Sequence, residues 1–156
     1  MSEPYEELLN GEVHLRIGPG ERHERICARL HEAVLASVAN YTSMRVLPVR
    51  SKIPLNQYHA VRPDLAVTTS ANNRLFLAVE IVSTDDHRVD TVVKKQIYED
   101  TKVPRLWMVD PRYDNVEVYH ATEYGLVLKS ILAGSEVLSE QLMPEFQIGI
   151  RELFMA

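Results

Sequence analysis

Leu75-Phe76-Leu77-Ala78-Val79-Glu80-Ile81-Val82 is apolar at every position but one. A run this short, rich in β-branched and aliphatic residues, fits a central strand covered on both faces. The strand is read as Leu75–Ser83. Its exception is informative, because an ionised carboxylate inside such a strand is costly unless it has a partner.

Reading outward from that strand, the pattern alternates between two periods. Upstream, Arg62–Thr69 reads as a neighbouring strand, with shorter apolar pieces at Met44–Arg50 and around Ile53-Pro54-Leu55. From Glu21 to about Asn40 the period is helical: Cys27, Leu30, Val34 and Val38 recur at three- and four-residue steps. His23 stands at the N-terminal end of that stripe. Further upstream, residues 5–9 read as a short helical turn, Asn10-Gly11 as a turn and Glu12–Ile17 as a strand. Downstream, Asp85 to about Thr101 reads as a second helix with Asp85 or Asp86 as N-cap. Leu106–Val109 is a buried strand, and Val116–Tyr119 with Leu126–Ile131 form a hairpin around Tyr124-Gly125. The tail, Leu142–Phe154, ends in a short amphipathic piece. The order helix, three strands, helix, strand describes an α/β (α+β) domain, a central mixed sheet flanked by helices with a C-terminal hairpin.

The totals agree with one ordinary domain over residues 1–156: apolar residues make up 46% and charged residues 25%. The formal net charge of −5 weighs against a protein that works by neutralising phosphates with a basic surface. It leaves open a carboxylate site whose sign is inverted by a bound cation. No apolar run approaches the roughly 20 residues of a membrane span. The acidic start is unlike a signal peptide, and the single cysteine, Cys27, allows no intrachain disulfide. A cytoplasmic location is expected. The chain has no CxxC pair, GxSxG elbow, GxxxxGK[ST] loop or HExxH helix.

What remains is a pair of acids. Asp64 follows Pro63 at the head of one strand, and Glu80 lies inside the other. A strand-end Asp is often a turn former, and a lone strand Glu often pairs with a base, so either alone reads as structural. On adjacent strands they come within a few Å, where like charges cannot both stay ionised without a cation. A divalent ion such as Mg²⁺ resolves this, held by one or two carboxylates and waters. Asp90, Lys94 and Tyr98 share one face of the second helix. Lys94 could therefore reach the acids, although Lys95 competes for that role and an Asp90–Lys94 surface pair would explain the spacing equally well. Lys94 is expected to face Asp64 and Glu80, and Lys95 to face water. Lys94→Ala is expected to remove activity without disturbing the fold.

Six segments in order carry a resemblance: Glu7-Leu8-Leu9-Asn10-Gly11-Glu12, Pro19 with His23, Arg62-Pro63-Asp64, Val79-Glu80-Ile81-Val82-Ser83, Asp90 with Lys94 and Tyr98, and Trp107-Met108-Val109-Asp110-Pro111. Across about residues 7–120 the chain resembles the bacterial Uma-type restriction endonucleases, a branch of the PD-(D/E)xK nuclease superfamily. The resemblance implies a restriction-endonuclease-like fold and Mg²⁺- or Mn²⁺-dependent hydrolysis of DNA, with Asp64 and Glu80 as metal ligands. Val82 stands where the superfamily places its lysine, and Lys94 takes that part from the following helix. Glu12 and His23 match further recurrent positions and are candidate accessory residues. Nucleases of this fold often pair to cut two strands, so a homodimer is expected, and the hairpin after Asp110 offers an edge. The alternative is a nuclease-like domain that binds nucleic acid or a protein and cuts nothing.

Overall fold

The computed structural model describes residues 2–155. In chain order the elements are β1 (Tyr5–Leu9), β2 (Glu12–Arg16), α1 (Glu21–Val38), β3 (Met44–Val46), β4 (Ile53–Asn56), β5 (His59–Val61), β6 (Leu65–Thr69) and β7 (Leu75–Ile81). A π-helical segment, Val89–Lys94, then runs directly into α2 (Lys95–Asp100). After it come β8 (Arg105–Asp110), β9 (Asn115–Thr122), β10 (Gly125–Ala133), β11 (Val137–Glu140), β12 (Met143–Gly149) and α3 (Ile150–Phe154).

The apolar run is β7, near the middle of a six-stranded sheet ordered β10-β9-β8-β7-β6-β3. The sheet is mixed: β7 and β8 run parallel, joined across α2, and the other pairs are antiparallel. Within this sheet the expected order holds, with α1 followed by β3, β6 and β7, then the second helix and β8. The intervening β4 and β5 belong to a separate antiparallel sheet, β2-β1-β5-β4.

The period-2 alternation of β7 divides the core. Leu77, Val79 and Ile81 point to the face covered by α1, where they join Ile26, Leu30, Val34, Trp107 and Phe146. Ala78 and Val82 point to the other face and pack with Ile97 and Tyr98 of α2 and with Leu9 and Val61 of the smaller sheet. The two helices therefore lie on opposite faces, and the smaller sheet closes over the α2 side.

Two local expectations are corrected. Residues 5–9 form a strand, not a helical turn, paired with β2 from Tyr5 opposite Arg16 to Leu9 opposite Glu12. The cause is alternation: Glu7 and Leu9 turn inward while Glu6 faces out. Asn10 and Gly11, with φ of 53° and 78°, make the two-residue turn that such hairpins favour. The second helix also lacks a side-chain N-cap. Asp86 instead accepts a hydrogen bond from Arg16 Nε at 3.0 Å, and Asp90 accepts one from the Ser83 N–H at 3.0 Å.

Phe146 stacks on Trp107 with ring centroids 5.4 Å apart, both essentially buried. Phe146→Ala is expected to cost about 3–5 kcal/mol of stability through the cavity it leaves. Leu15→Ser, at a position 71% exposed, is expected to change stability by less than about 0.5 kcal/mol. Urea unfolding followed by the fluorescence of Trp107, the only tryptophan, measures both.

Candidate metal and phosphodiester site

The pairing of β6 with β7 sets the two acids. Leu65 lies opposite Val79, so one step further along the antiparallel pair places Asp64 opposite Glu80. Asp64 stands just before β6, after Pro63, which has no N–H to continue the ladder. Its side chain takes up a donor of β7: Oδ2 accepts the Ile81 N–H at 2.8 Å. Oδ1 accepts from Arg50 Nη1 at 2.7 Å and is bonded to His23 Nε2 at 2.9 Å. Burial pushes the Asp64 carboxyl up, but His23, the Ile81 amide and Arg50 together hold it down at about 2. For His23, burial works against protonation, yet the hydrogen bond and charge of Asp64 raise its pKa above the usual histidine value. Arg50 is itself fixed by both carboxylate oxygens of Glu24 at 2.6 Å.

Glu80 belongs to a different set of partners. Its Oε2 lies 2.6 Å from Lys94 Nζ and accepts the Tyr98 hydroxyl at 2.5 Å. Its Oε1 accepts no hydrogen bond among the described residues. Burial pushes the Glu80 carboxyl up to about 8; Lys94 opposes this, while Asp90, Glu7 and Asp64 add to it. Lys94 is fully buried and touches a second carboxylate, Glu7 Oε2, at 2.7 Å. Burial favours a neutral amine there, but Glu80 and Glu7 outweigh it and keep Lys94 cationic.

Glu7 also accepts from Arg16 Nη1 at 2.6 Å and from the Arg62 N–H at 2.7 Å. Burial tends to raise its carboxyl, and Lys94, the Arg62 amide and Arg16 bring it below the usual range. Arg16 completes the cluster through Asp90 at 2.8 Å. Asp90, Lys94 and Tyr98 do share the inward face of the second helix, and all three are buried. Lys94 turns to Glu80 and Glu7, with no hydrogen bond or ion pair to Asp64. Lys95 lies over the Tyr119 ring, 4.6 Å from its centroid, rather than pointing free into water.

Glu12 is exposed at the hairpin tip and makes no hydrogen bond or ion pair among the described residues. The hairpin instead delivers Glu7 and Arg16, neither of which stands out in the sequence as a site residue. Their signal is the strand period: Glu7 shares its face with Leu9, and Arg16 ends a strand whose alternate residues Val13 and Leu15 are exposed.

A cavity of about 380 Å³ lies against this cluster, walled by Tyr5, Arg16, His23, Ile81, the loop residues 82–86, and Asp90. Asp64 and Glu80 sit behind that wall, 3% and 2% exposed, rather than in an open cleft. Among the described residues no three His, Cys, Asp or Glu side chains are grouped as a metal cage. The donor set that could take an ion is the cross-strand pair Asp64 and Glu80. Both offer hard oxygen donors, and Glu80 Oε1 is free of other partners among the described residues. That composition suits a small divalent cation that keeps several of its waters.

Among the described residues, Lys94→Met removes the one cation paired with Glu80 and one of the two paired with Glu7, so it is expected to destabilise the fold by about 3–5 kcal/mol in urea titrations. Acid sensitivity follows from Asp64, whose folded pKa is depressed below its ordinary 3.8. Its contribution is fully present above the unfolded pKa and is lost as pH falls from about 4 to about 2. Urea midpoints measured across that window are expected to drop in the parent protein and to drop less in Asp64→Asn.

The family model of Uma2, described as "Putative restriction endonuclease", matches residues 2–151. A comparison with curated proteins finds no match. Among solved structures, the crystal structure of a "putative nuclease belonging to DUF820" from Anabaena variabilis ATCC 29413 superposes with a TM-score of 0.81. The two sequences are 16% identical, and the match covers 99% of this chain and 92% of the other. At that identity the likeness is one of fold. The family assignment rests on the match over nearly the whole length: the chain belongs to the Uma2 family.

Proposed function

We propose that the protein is an endonuclease that hydrolyses DNA phosphodiester bonds with Mg²⁺ or Mn²⁺ held by Asp64 and Glu80. The observation that supports this reading is a pair of buried carboxylates, Asp64 at the head of β6 and Glu80 in the neighbouring β7, with a lysine ammonium 2.6 Å from one of them. A bound divalent ion supplies a water of lowered pKa and neutralises charge on the departing oxygen. Lys94, kept cationic by Glu80 and Glu7, acts as a fixed positive charge and hydrogen-bond donor rather than as a base. His23 and Arg50 hold Asp64 in place and ionised. The reading includes residues 1–156 working as one unit, a cytoplasmic setting and a homodimer that presents two sites to two strands.

One observation favours the non-catalytic alternative. The cavity beside the cluster carries Glu21, Asp85, Asp86 and Asp90, and its two arginines, Arg16 and Arg22, are already paired with carboxylates. A polyanion gains little from such a wall unless cations bridge it.

Incubating plasmid and linear DNA with the protein in Mg²⁺ or Mn²⁺ separates the two readings. Cleavage is expected, abolished by EDTA and reduced at least about 100-fold in Glu80→Gln. DNA binding without metal-dependent cutting in the folded parent protein would instead establish the non-catalytic module.

A further inference from the structure

Lys94 stands between two carboxylates that are not equivalent. Glu7 is fixed from three sides: Arg16 Nη1 holds Oε1 at 2.6 Å, while the Arg62 N–H and Lys94 both hold Oε2 at 2.7 Å. Arg16 is in turn clamped by Asp86 at 3.0 Å and Asp90 at 2.8 Å, so Glu7 is tied to β2, to the strand leading out of β5 and to the second helix. Glu80 has less to lose. Lys94 and the Tyr98 hydroxyl share its Oε2, Oε1 accepts no hydrogen bond among the described residues, and Asp64 stands at the head of the neighbouring strand.

We propose that Glu7 is the fixed anchor of Lys94, so that Glu80 is the partner free to exchange the lysine for a divalent cation. Removing the last partner of a buried ammonium is strongly unfavourable. With Glu7 in place, Glu80 can turn its oxygens toward an ion opposite Asp64 while Lys94 remains paired. Glu7 is thus a positioning residue that acts through Lys94. The exchange rests on the proposed metal-binding role of Glu80; the anchoring does not.

Two measurements separate these parts. The first is a set of double-mutant cycles in urea, combining Glu7→Gln with Lys94→Met and Glu80→Gln with Lys94→Met. The coupling of Lys94 to Glu7 is expected to exceed its coupling to Glu80 by about tenfold in unfolding equilibrium constant. Equal couplings, or a stronger one to Glu80, overturn the anchor. Where a charge-removing variant does not fold, Glu7→Asp and Glu80→Asp carrying ¹³C-labelled lysine replace the cycle. The Lys94 Cε resonance is expected to move in the first and hold in the second, and the reverse overturns the proposal. The second measurement is Mn²⁺ binding by calorimetry. In Glu7→Gln the lysine falls wholly on Glu80 and competes with the ion, so Mn²⁺ is expected to bind about tenfold more weakly. Glu7→Gln/Lys94→Met is expected to recover that loss, which a merely structural role for Glu7 would not produce. Unchanged Mn²⁺ affinity in a folded Glu7→Gln protein overturns the exchange. A parent protein that binds no Mn²⁺ removes the metal reading and the exchange with it, and the couplings alone then decide the anchor.

Discussion

A fully buried lysine ammonium sits where the second helix, the main sheet and the N-terminal hairpin meet, and it is tolerable only because carboxylates reach it from two directions. Glu80 comes from the centre of the main sheet, and Glu7 from the N-terminal hairpin. Arg16 binds the same hairpin to the loop after β7 and to the second helix through Asp86 and Asp90. Segments 70 and 74 residues apart in sequence are thereby fixed to one another. Well-packed apolar residues of similar volume often serve stability as well as buried ion pairs do. A cluster with this many charged members is therefore better explained by the site it builds than by the stability it adds.

The sheet beneath the cluster enforces which charges meet. Side chains alternate along β7, so Glu80 emerges on the α2 face only while Leu77, Val79 and Ile81 occupy the α1 core. A one-residue slip would drive Glu80 into that core and expel three aliphatic side chains, which is why the register is tightly specified. The β6 partner follows the same rule. Its Leu65 and Val67 fill the α1 core, and Asp64, one step before them, meets β7 where the regular ladder stops. Hydrophobic patterning sets the two backbone positions, and the side chains then take different partners: Asp64 bonds His23 of α1, and Glu80 pairs with Lys94 on the α2 side.

The same logic explains what was legible in the sequence. The run 75–82 exposed β7, and the three- and four-residue steps of Cys27, Leu30, Val34 and Val38 exposed α1, because burial on one face leaves a periodic trace. Glu80 was legible as a charge out of place. Asp90, Lys94 and Tyr98 were legible as one helical face, though part of that face is π-helical. Residues 5–9 misled because Tyr-Glu-Glu-Leu-Leu carries helix-forming residues in a stretch too short to show its period, and tertiary pairing with β2 decided the outcome. Glu7 and Arg16 were hidden for a different reason. Their partners lie 9 to 87 positions away, so the strand period places them on an inward face but nothing local names the charge each one meets.

The two carboxylates of the β6–β7 pair end up with opposite properties, and the distribution of donors accounts for it. Asp64 receives a histidine, an arginine and a backbone N–H, and its carboxyl is held at about 2. Glu80 receives a tyrosine hydroxyl and a lysine that it shares with Glu7, while burial and the neighbouring acids push it to about 8. Pairs of titratable groups driven apart in this way mark sites where one member stays charged and the other gains or loses a proton. Here the constant member is fixed by α1 and by the segment that carries Arg50, and the adjustable member lies between a lysine and an open oxygen. Asp64 is thus held ionised by its own donors, whereas the state of Glu80 is tied to a lysine that Glu7 also holds.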